Sequence, residues 1–310
     1  MKIVLLDAST LGNVSLDPIR ALGDLTVYPL TTPSERIPRI RGMDVVITNK
    51  VIIDREVMDQ CPELKLICVS ATGMNNIDLI AAKEKGIQAK NVAAYSTDSV
   101  TQLTFAVLFH LMMNPPYFDN FVKSGQYSRG NIFTHLDLEF RQLGSHNMGI
   151  IGMGNIGKRV ARVAEAFGAR VLYYSTTGKN NQNPWPSVSL DDLLSSCDIV
   201  SIHAPLNDHT RNLLRFSRLS MMKPSAILLN MGRGGIVNEA DLARALDEGI
   251  IRAAAVDVFE QEPLPANHPF LQMNHPERII LTPHIAWASM EAREALIRGI
   301  AHNIETSTGS

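Results

Sequence analysis

Asn147-Met148-Gly149-Ile150-Ile151-Gly152-Met153-Gly154-Asn155-Ile156-Gly157 is the stretch that decides the fold. An apolar run of strand length passes directly into G-x-G-x-x-G, and a helical pattern over residues 156–167 follows. Alone, that glycine spacing is a weak signal. Between a strand and a helix, each glycine has a physical task. The first permits a tight turn, the second lets the backbone approach a pyrophosphate, and the third lets helix and strand pack closely. Free N–H groups at the helix N-terminus then face the phosphate charge. The pattern predicts a doubly wound dinucleotide-binding domain. The alternative is a glycine-rich turn in a flavodoxin-like domain.

Working outward from this loop, apolar runs recur downstream at residues 170–174, 199–203, 226–230, 253–258 and 279–282. With 148–151 they make six strands with helices between them. Upstream, runs at 3–6, 25–28, 45–48, 64–69 and 87–92 are rich in Val, Ile and Leu, which suits βαβ units on a parallel sheet. A helix begins near Asp98, with Asp98 or Ser99 as N-cap, carries its apolar face over 100–113, and stops at Pro115-Pro116. Residues 117–146 are polar, spotted with aromatics and weakly periodic, and read as a surface excursion that wraps a second subunit. A last helix spans 289–304. The two halves share only their β/α alternation.

Bulk properties narrow the classes further. Of 310 residues, 45% are hydrophobic and 19% charged, and the formal net charge is −2, which suits a soluble globular chain rather than a nucleic-acid or membrane binder. The longest apolar stretch, 103–113, is broken by Thr104 and His110 and is too short for a bilayer. The N-terminal run is too short for a signal peptide, so a cytoplasmic location is expected. Cys61, Cys68 and Cys197 form no pair and no metal-ligand spacing, which suits a reducing compartment and predicts no metal.

The end of the second nucleotide-domain strand reads Tyr173-Tyr174-Ser175-Thr176-Thr177-Gly178-Lys179-Asn180. An NAD site usually places a carboxylate here for the ribose 2′-hydroxyl. Ser175 stands in its place, and Ser175, Thr176 and Lys179 offer donors that suit a 2′-phosphate. The loop is read as an NAD(P) site leaning to NADP. The alternative is that Ser175 bonds the ribose hydroxyl of NAD.

Three further segments lie just past apolar strands: Asn230-Met231-Gly232-Arg233-Gly234, Val256-Asp257-Val258-Phe259-Glu260-Gln261-Glu262-Pro263, and Thr282-Pro283-His284-Ile285-Ala286-Trp287. Doubly wound sheets bind their ligands at such carboxyl ends of strands. Together with the glycine loop, and in this order, these segments resemble the D-isomer-specific 2-hydroxyacid dehydrogenase family over essentially the whole chain. The stretches Ala71-Thr72-Gly73-Met74-Asn75-Asn76-Ile77-Asp78, Tyr95-Ser96-Thr97-Asp98-Ser99-Val100 and His284-Ile285-Ala286-Trp287-Ala288-Ser289 look most like the glycerate dehydrogenases, or hydroxypyruvate reductases, of that family.

The resemblance implies an α/β chain of two doubly wound parallel-sheet domains with a cleft between them. Residues 1–98 plus 285–310 would form a flavodoxin-like substrate-binding domain, and 99–284 a Rossmann NAD(P)-binding domain, with 117–146 as a dimerisation arm of a homodimer. It also implies an Arg–Glu–His catalytic set, which falls on Arg233, Glu262 and His284. The chemistry fits these roles. Reducing a 2-keto acid builds negative charge on the carbonyl oxygen, and an imidazolium at His284 can donate the proton. Glu262 would hold the other ring nitrogen and favour the charged ring. Arg233 offers a planar fork to the substrate's carboxylate and keto oxygen. Glu260 is the competing carboxylate; the family pattern picks the one directly before proline.

Other positions carry over in the same way. Backbone N–H groups at Thr72, Gly73 and Met74 would take the substrate carboxylate. Gly152, Gly154, Asn155, Ile156 and Gly157 would cradle the pyrophosphate. His203, Ala204, Pro205, Asn230 and Met231 would line the nicotinamide side, and Asp257 would hold its carboxamide. Asp78 reads as a helix cap. The expected substrate is hydroxypyruvate, or glyoxylate, interconverted with the D-2-hydroxy acid. Other 2-keto acids remain alternatives within the family, although the 71–78 loop has no cations for a phosphorylated one, and formate-oxidising relatives carry an amide where Glu262 stands. From another class, the same fold serves dinucleotide-sensing co-repressors.

Overall fold

Val45-Val46-Ile47-Thr48 and Leu66-Ile67-Cys68-Val69 are buried at every residue, which is the condition of central strands in a parallel sheet covered on both faces. The computed structural model describes residues 1–178 and 183–308; Lys179 lies outside the described residues. It divides the chain into two compact units, Met1–Ser96 with Trp287–Ser310, and Thr97–Ala286. Each of these boundaries falls two residues from the one read in the sequence.

In the first unit, strands β1 (Lys2–Leu5), β2 (Asp24–Val27), β3 (Val45–Thr48), β4 (Leu66–Val69) and β5 (Gln88–Lys90) alternate with helices α1 (Asp17–Arg20), α2 (Arg36–Ile40), α3 (Arg55–Gln60) and α4 (Leu79–Glu84). All pairs are parallel and the order is β2-β1-β3-β4-β5, the flavodoxin-like order. Asp54 and Asp78 cap α3 and α4 by accepting from the Val57 and Ala81 amides.

The second unit carries α5 (Thr97–Met113), α6 (Pro115–Lys123), β6 (Asn147–Ile151), α7 (Asn155–Ala166), β7 (Arg170–Tyr174), α8 (Leu190–Ser196), β8 (Ile199–Ile202), α9 (Phe216–Leu219), β9 (Ile227–Asn230), α10 (Glu239–Asp247), β10 (Ala253–Val256) and β11 (Ile279–Leu281). Its parallel sheet has the order β11-β10-β9-β8-β6-β7. Alternation along the strands sends Ile150, Val171, Tyr173 and Leu229 to the face covered by α5 and α7. Leu172, Val200, Leu228 and Val256 go to the opposite face, against α8 and α10. Beyond β7, Ser187 makes one parallel bridge to Tyr173. The dinucleotide-binding order 3-2-1-4-5-6 is therefore present with its third strand reduced to a bridge and with β11 added at the far edge. The chain then returns to the first unit as α11 (Met290–Thr308), whose Leu296, Ile297, Ile300 and Ile304 pack against Ile3, Leu5 and Ile47.

Several expectations need correcting. The two halves share more than alternation, because the five strands of the first unit and the first five of the second follow the same 2-1-3-4-5 order. Asp98 and Ser99 lie inside α5, which starts at Thr97. Pro115-Pro116 does not only stop a helix. Asn114 turns the chain in the left-handed region (φ 46°), and Pro115 then opens α6, where its missing N–H costs nothing. The weak periodicity of 117–146 hid this helix. Past α6, Ile132, Phe133 and Leu136 are exposed (69%, 88% and 75%). No helix among the described residues is long and apolar enough to cross a membrane.

The place of α11 in the first unit's core has a measurable consequence. Leu296 is fully buried, so Leu296→Ala should lower stability by about 2–5 kcal/mol, read as a lower urea midpoint at unchanged slope. His302→Ala, at an exposed position of the same helix, should stay within about 0.5 kcal/mol of the parent. Equal effects from the two changes would show that α11 does not pack as described.

Candidate active site

The glycine loop leaves β6 where the sheet changes winding direction, between β7 and β8. Gly152 adopts φ 94°, and a Cβ built there would stand 2.7 Å from the Ala204 amide nitrogen. A Cβ at Gly157 would run into the Gly152 carbonyl oxygen. Around Gly154, by contrast, a Cβ would meet nothing within 4 Å. The loop is tight at its first and third glycines and open at the second, where a pyrophosphate needs room. Gly154 caps α7 in extended conformation without a side-chain cap, so the amides of the first turn, from Asn155 and Ile156 onward, are offered outward. These residues fit a dinucleotide.

Ser175 follows β7 with its Oγ buried and without a partner among the described residues. Thr176 is half-buried beside it, and no acidic side chain occurs from 175 to 178. At the end of β8, His203 Nε2 lies 2.8 Å from the Ser201 hydroxyl, while Nδ1 is buried and unpartnered. Burial pushes its pKa down to about 3, so the ring is neutral. Ala204 and Met231 are buried close by in sequence to the strand ends, and Pro205 is exposed.

Arg233, Glu262 and His284 emerge from three neighbouring strands, β9, β10 and β11. After β9, the Asn230 side chain accepts from the Gly232 amide (3.2 Å) and donates to the Arg233 carbonyl (3.1 Å), closing the turn that carries Arg233. The Arg233 guanidinium is half-buried and one of its nitrogens donates to the Gly232 carbonyl at 2.9 Å. A Cβ at Gly234 would overlap the Phe259 carbonyl, so this turn presses on the backbone of the loop that carries Glu262.

After β10, Asp257 is 1% exposed. Its carboxylate accepts from the Thr282 hydroxyl (2.6 Å), the Ile285 amide (2.9 Å) and the Ala286 amide (2.9 Å). Burial holds its pKa above the ordinary aspartate value even against these bonds. The three donors flank His284, whose φ of 53° is uncommon for a residue with a side chain and carries strain of order 1–3 kcal/mol. His284 Nδ1 lies 2.9 Å from each Glu262 oxygen, with about a quarter of each side chain exposed. Nδ1 is thereby the donor to the carboxylate, and Nε2 is the ring nitrogen that Glu262 does not engage. Glu262 also accepts from the Phe259 amide at 3.1 Å. Glu260, the competing carboxylate, pairs instead with Arg211 at 3.2 Å.

In the first unit, Thr72 Oγ1 donates to the Val92 carbonyl and Asn91 Nδ2 to the Thr72 carbonyl, fixing the turn. The amides of Thr72, Gly73 and Met74 donate to no acceptor among the described residues. Asp78 closes the same segment as a cap. Among the described residues no His, Cys, Asp and Glu gather as metal ligands. The sequence pattern assigns Asp257 one task, toward the cofactor. It misses the grip of this residue on the 282–286 turn, for which the signal is a buried carboxylate immediately after an all-apolar strand.

Residues 105–286 match the family described as "D-isomer specific 2-hydroxyacid dehydrogenase, NAD binding domain". A hydroxypyruvate reductase of Blautia hydrogenotrophica is 37% identical over 313 residues, 98% of this chain and 96% of that one. A glycerate dehydrogenase of Methylorubrum extorquens is 35% identical over 274 residues, 88% of this chain and 85% of the relative. Among solved structures, an acyclic imino acid reductase (Bsp5) in complex with NADPH and D-Arg aligns with TM-score 0.85 at 29% identity, covering 99% of this chain and 96% of the other. A D-lactate dehydrogenase from Aquifex aeolicus complexed with NAD and lactic acid aligns with TM-score 0.82 at 26% identity, covering 98% and 94%. The family match runs through the glycine loop and the Arg233, Glu262 and His284 segments, and the relatives span nearly the whole sequence: the chain belongs to the D-isomer specific 2-hydroxyacid dehydrogenase family.

Proposed function

We propose that this 2-hydroxyacid dehydrogenase reduces a small unphosphorylated 2-keto acid, hydroxypyruvate first and glyoxylate second, with His284 as proton donor. The observation that supports the reading is the His284 ring held through Nδ1 by both Glu262 oxygens, which leaves Nε2 as the nitrogen able to face a substrate. When bound, the reduced nicotinamide supplies the hydride. Arg233 binds and polarises the keto oxygen and carboxylate through its planar fork. The unengaged Thr72, Gly73 and Met74 amides suit a carboxylate. Imidazolium His284 gives its Nε2 proton to the developing alkoxide, and Glu262 stabilises the charged ring beforehand. In the oxidative direction neutral His284 takes that proton back. Similarity to the hydroxypyruvate reductase and glycerate dehydrogenase supports the substrate choice, as does the lack of cations in the 71–78 segment.

Initial rates with a panel of 2-keto acids should rank hydroxypyruvate above pyruvate and branched acids. His284→Ala should lower turnover by roughly two to four orders of magnitude, with the dissociation constant of the nicotinamide cofactor nearly unchanged. Near-parental turnover in that variant would remove His284 from the chemistry.

The cofactor is proposed to be NADP in preference to NAD. A 2′-phosphate brings nearly two negative charges, and the 175–178 stretch has nothing acidic to repel them. The buried, unpartnered Ser175 hydroxyl is a donor in waiting, with Thr176 beside it. The two aligned structures hold NADPH in one case and NAD in the other, so the preference rests on this chain's own loop. NADPH should be used at least as well as NADH by kcat/KM, and Ser175→Asp should swing the ratio toward NADH. A strong NADH preference in the parent, indifferent to salt, refutes the reading.

The protein is further proposed to be a cytoplasmic homodimer joined through residues 117–146. Ile132, Phe133 and Leu136 stand mostly exposed, more apolar surface than a monomer's loop usually presents. Light scattering at micromolar concentration should give twice the 34.1 kDa of one chain, and Phe133→Asp with Leu136→Asp should return it to a single chain. A parent protein with the mass of one chain rules the dimer out.

A further inference from the structure

We propose that Glu239 and His268 act as positioning residues, a buried brace that sets Glu262 behind His284 and keeps the Arg233 turn against the same loop. This rests on the reading of Glu262 and His284 as the proton-donating pair. Glu239 is the first residue of α10, directly after its Asn238 cap, where a carboxylate is favoured by the helix dipole. Its side chain and that of His268 are 12% and 9% exposed, and His268 Nε2 lies 2.7 Å from Glu239 Oε2. The Phe270 amide donates to His268 Nδ1 at 3.2 Å. Nδ1 is therefore an acceptor, and Nε2 carries the hydrogen that goes to Glu239.

The other oxygen, Oε1, accepts from the Glu260 amide at 2.7 Å. One carboxylate thus ties two points of one loop, 260 and 268, to the start of a core helix. Glu262 lies between those points. The Phe259–Glu260 peptide unit is the key element. Its N–H is anchored on Glu239, and its carbonyl is what a Cβ on Gly234 would overlap, in the Arg233 turn. The neighbouring amide, Phe259 N–H, donates to Glu262 itself. Releasing the peptide from Glu239 frees it to rotate, and both Glu262 and the Arg233 turn lose their common support. The rings of Phe259 and Phe270 enclose His268, with centroids 6.4 Å and 4.8 Å away, and shield the brace from water. Sequence reading passed over both residues because neither lies at the end of a strand; the signal was a glutamate opening a helix and a histidine next to proline.

The test uses the full-length enzyme. His268→Phe keeps ring volume but loses both hydrogen bonds, and Glu239→Gln keeps one acceptor for the Glu260 amide but does not also accept from His268. Each should lower kcat roughly ten- to a hundredfold, the cost of a misplaced catalytic group, and should shift the pH profile of kcat/KM. The dissociation constant of the nicotinamide cofactor should stay within about twofold, since the glycine loop is untouched. His268→Gln, which retains an amide donor for Glu239 and an oxygen for the Phe270 amide, should recover most of kcat. Because the brace acts on Glu262 first and on the Arg233 turn only secondarily, His268→Phe should cost much less in the Glu262→Gln background than it does alone. If Glu262→Gln is crippled and His268→Phe multiplies its loss by as much as it does alone, or if His268→Phe lowers Tm with kcat and pH profile unmoved, the brace is overturned while the acid pair stands. If Glu262→Gln turns over normally, the acid pair itself fails and the brace loses its role.

Discussion

The site depends on the Asp257 carboxylate. A buried carboxylate is costly unless hydrogen bonds replace its lost water, and here three donors do so, all from the 282–286 turn. They straddle His284 and hold it in a left-handed backbone conformation that no helix or strand would give it. The position of the imidazole is thus set by a neighbouring strand's carboxylate acting on the backbone, and its direction by the Nδ1 contact with Glu262. That contact exists because β10 and β11 are parallel neighbours in register, Val256 opposite Leu281, so their carboxyl ends finish side by side.

The same sheet logic brings the other groups together. β9 and β10 pair with Asn230 opposite Val256, and the turns that follow them share a contact at Gly234 and Phe259. Only glycine allows that approach, so the turns that carry Arg233 and Glu262 are spaced by backbone rather than by flexible side chains. Polar groups with two or more partners, Asn230 and Asp257 among them, convert strand register into site geometry.

Most strands were legible from the sequence because parallel strands buried on both faces read as unbroken apolar runs. Residues 45–48 and 170–174 coincide with β3 and β7, and other runs overshoot by a residue or two where apolar character continues into the turn. The glycine loop was legible because each glycine answers a steric demand. What the sequence hid was relational. The shared 2-1-3-4-5 order of the two units leaves no composition signal. The helix α6 was concealed by two prolines that usually end helices and by an apolar pattern too irregular for its exposed setting. The hold of Asp257 on the 282–286 turn and the link from Glu239 to His268 span 25 to 29 residues, which no local pattern reports.

The single bridge between Tyr173 and Ser187 bears on how much sequence change this edge of the sheet absorbs. Where a full third strand would pair along the length of β7, the described residues on that side make one bridge, at Ser187. Substitutions at residues 175–178, past the last paired residue of β7, leave strand register and the central core in place. This margin is separate along the sheet from the turns of Arg233, Glu262 and His284, which follow β9, β10 and β11. A few changes at this margin can therefore remodel its chemistry while the parallel sheet stays as it is.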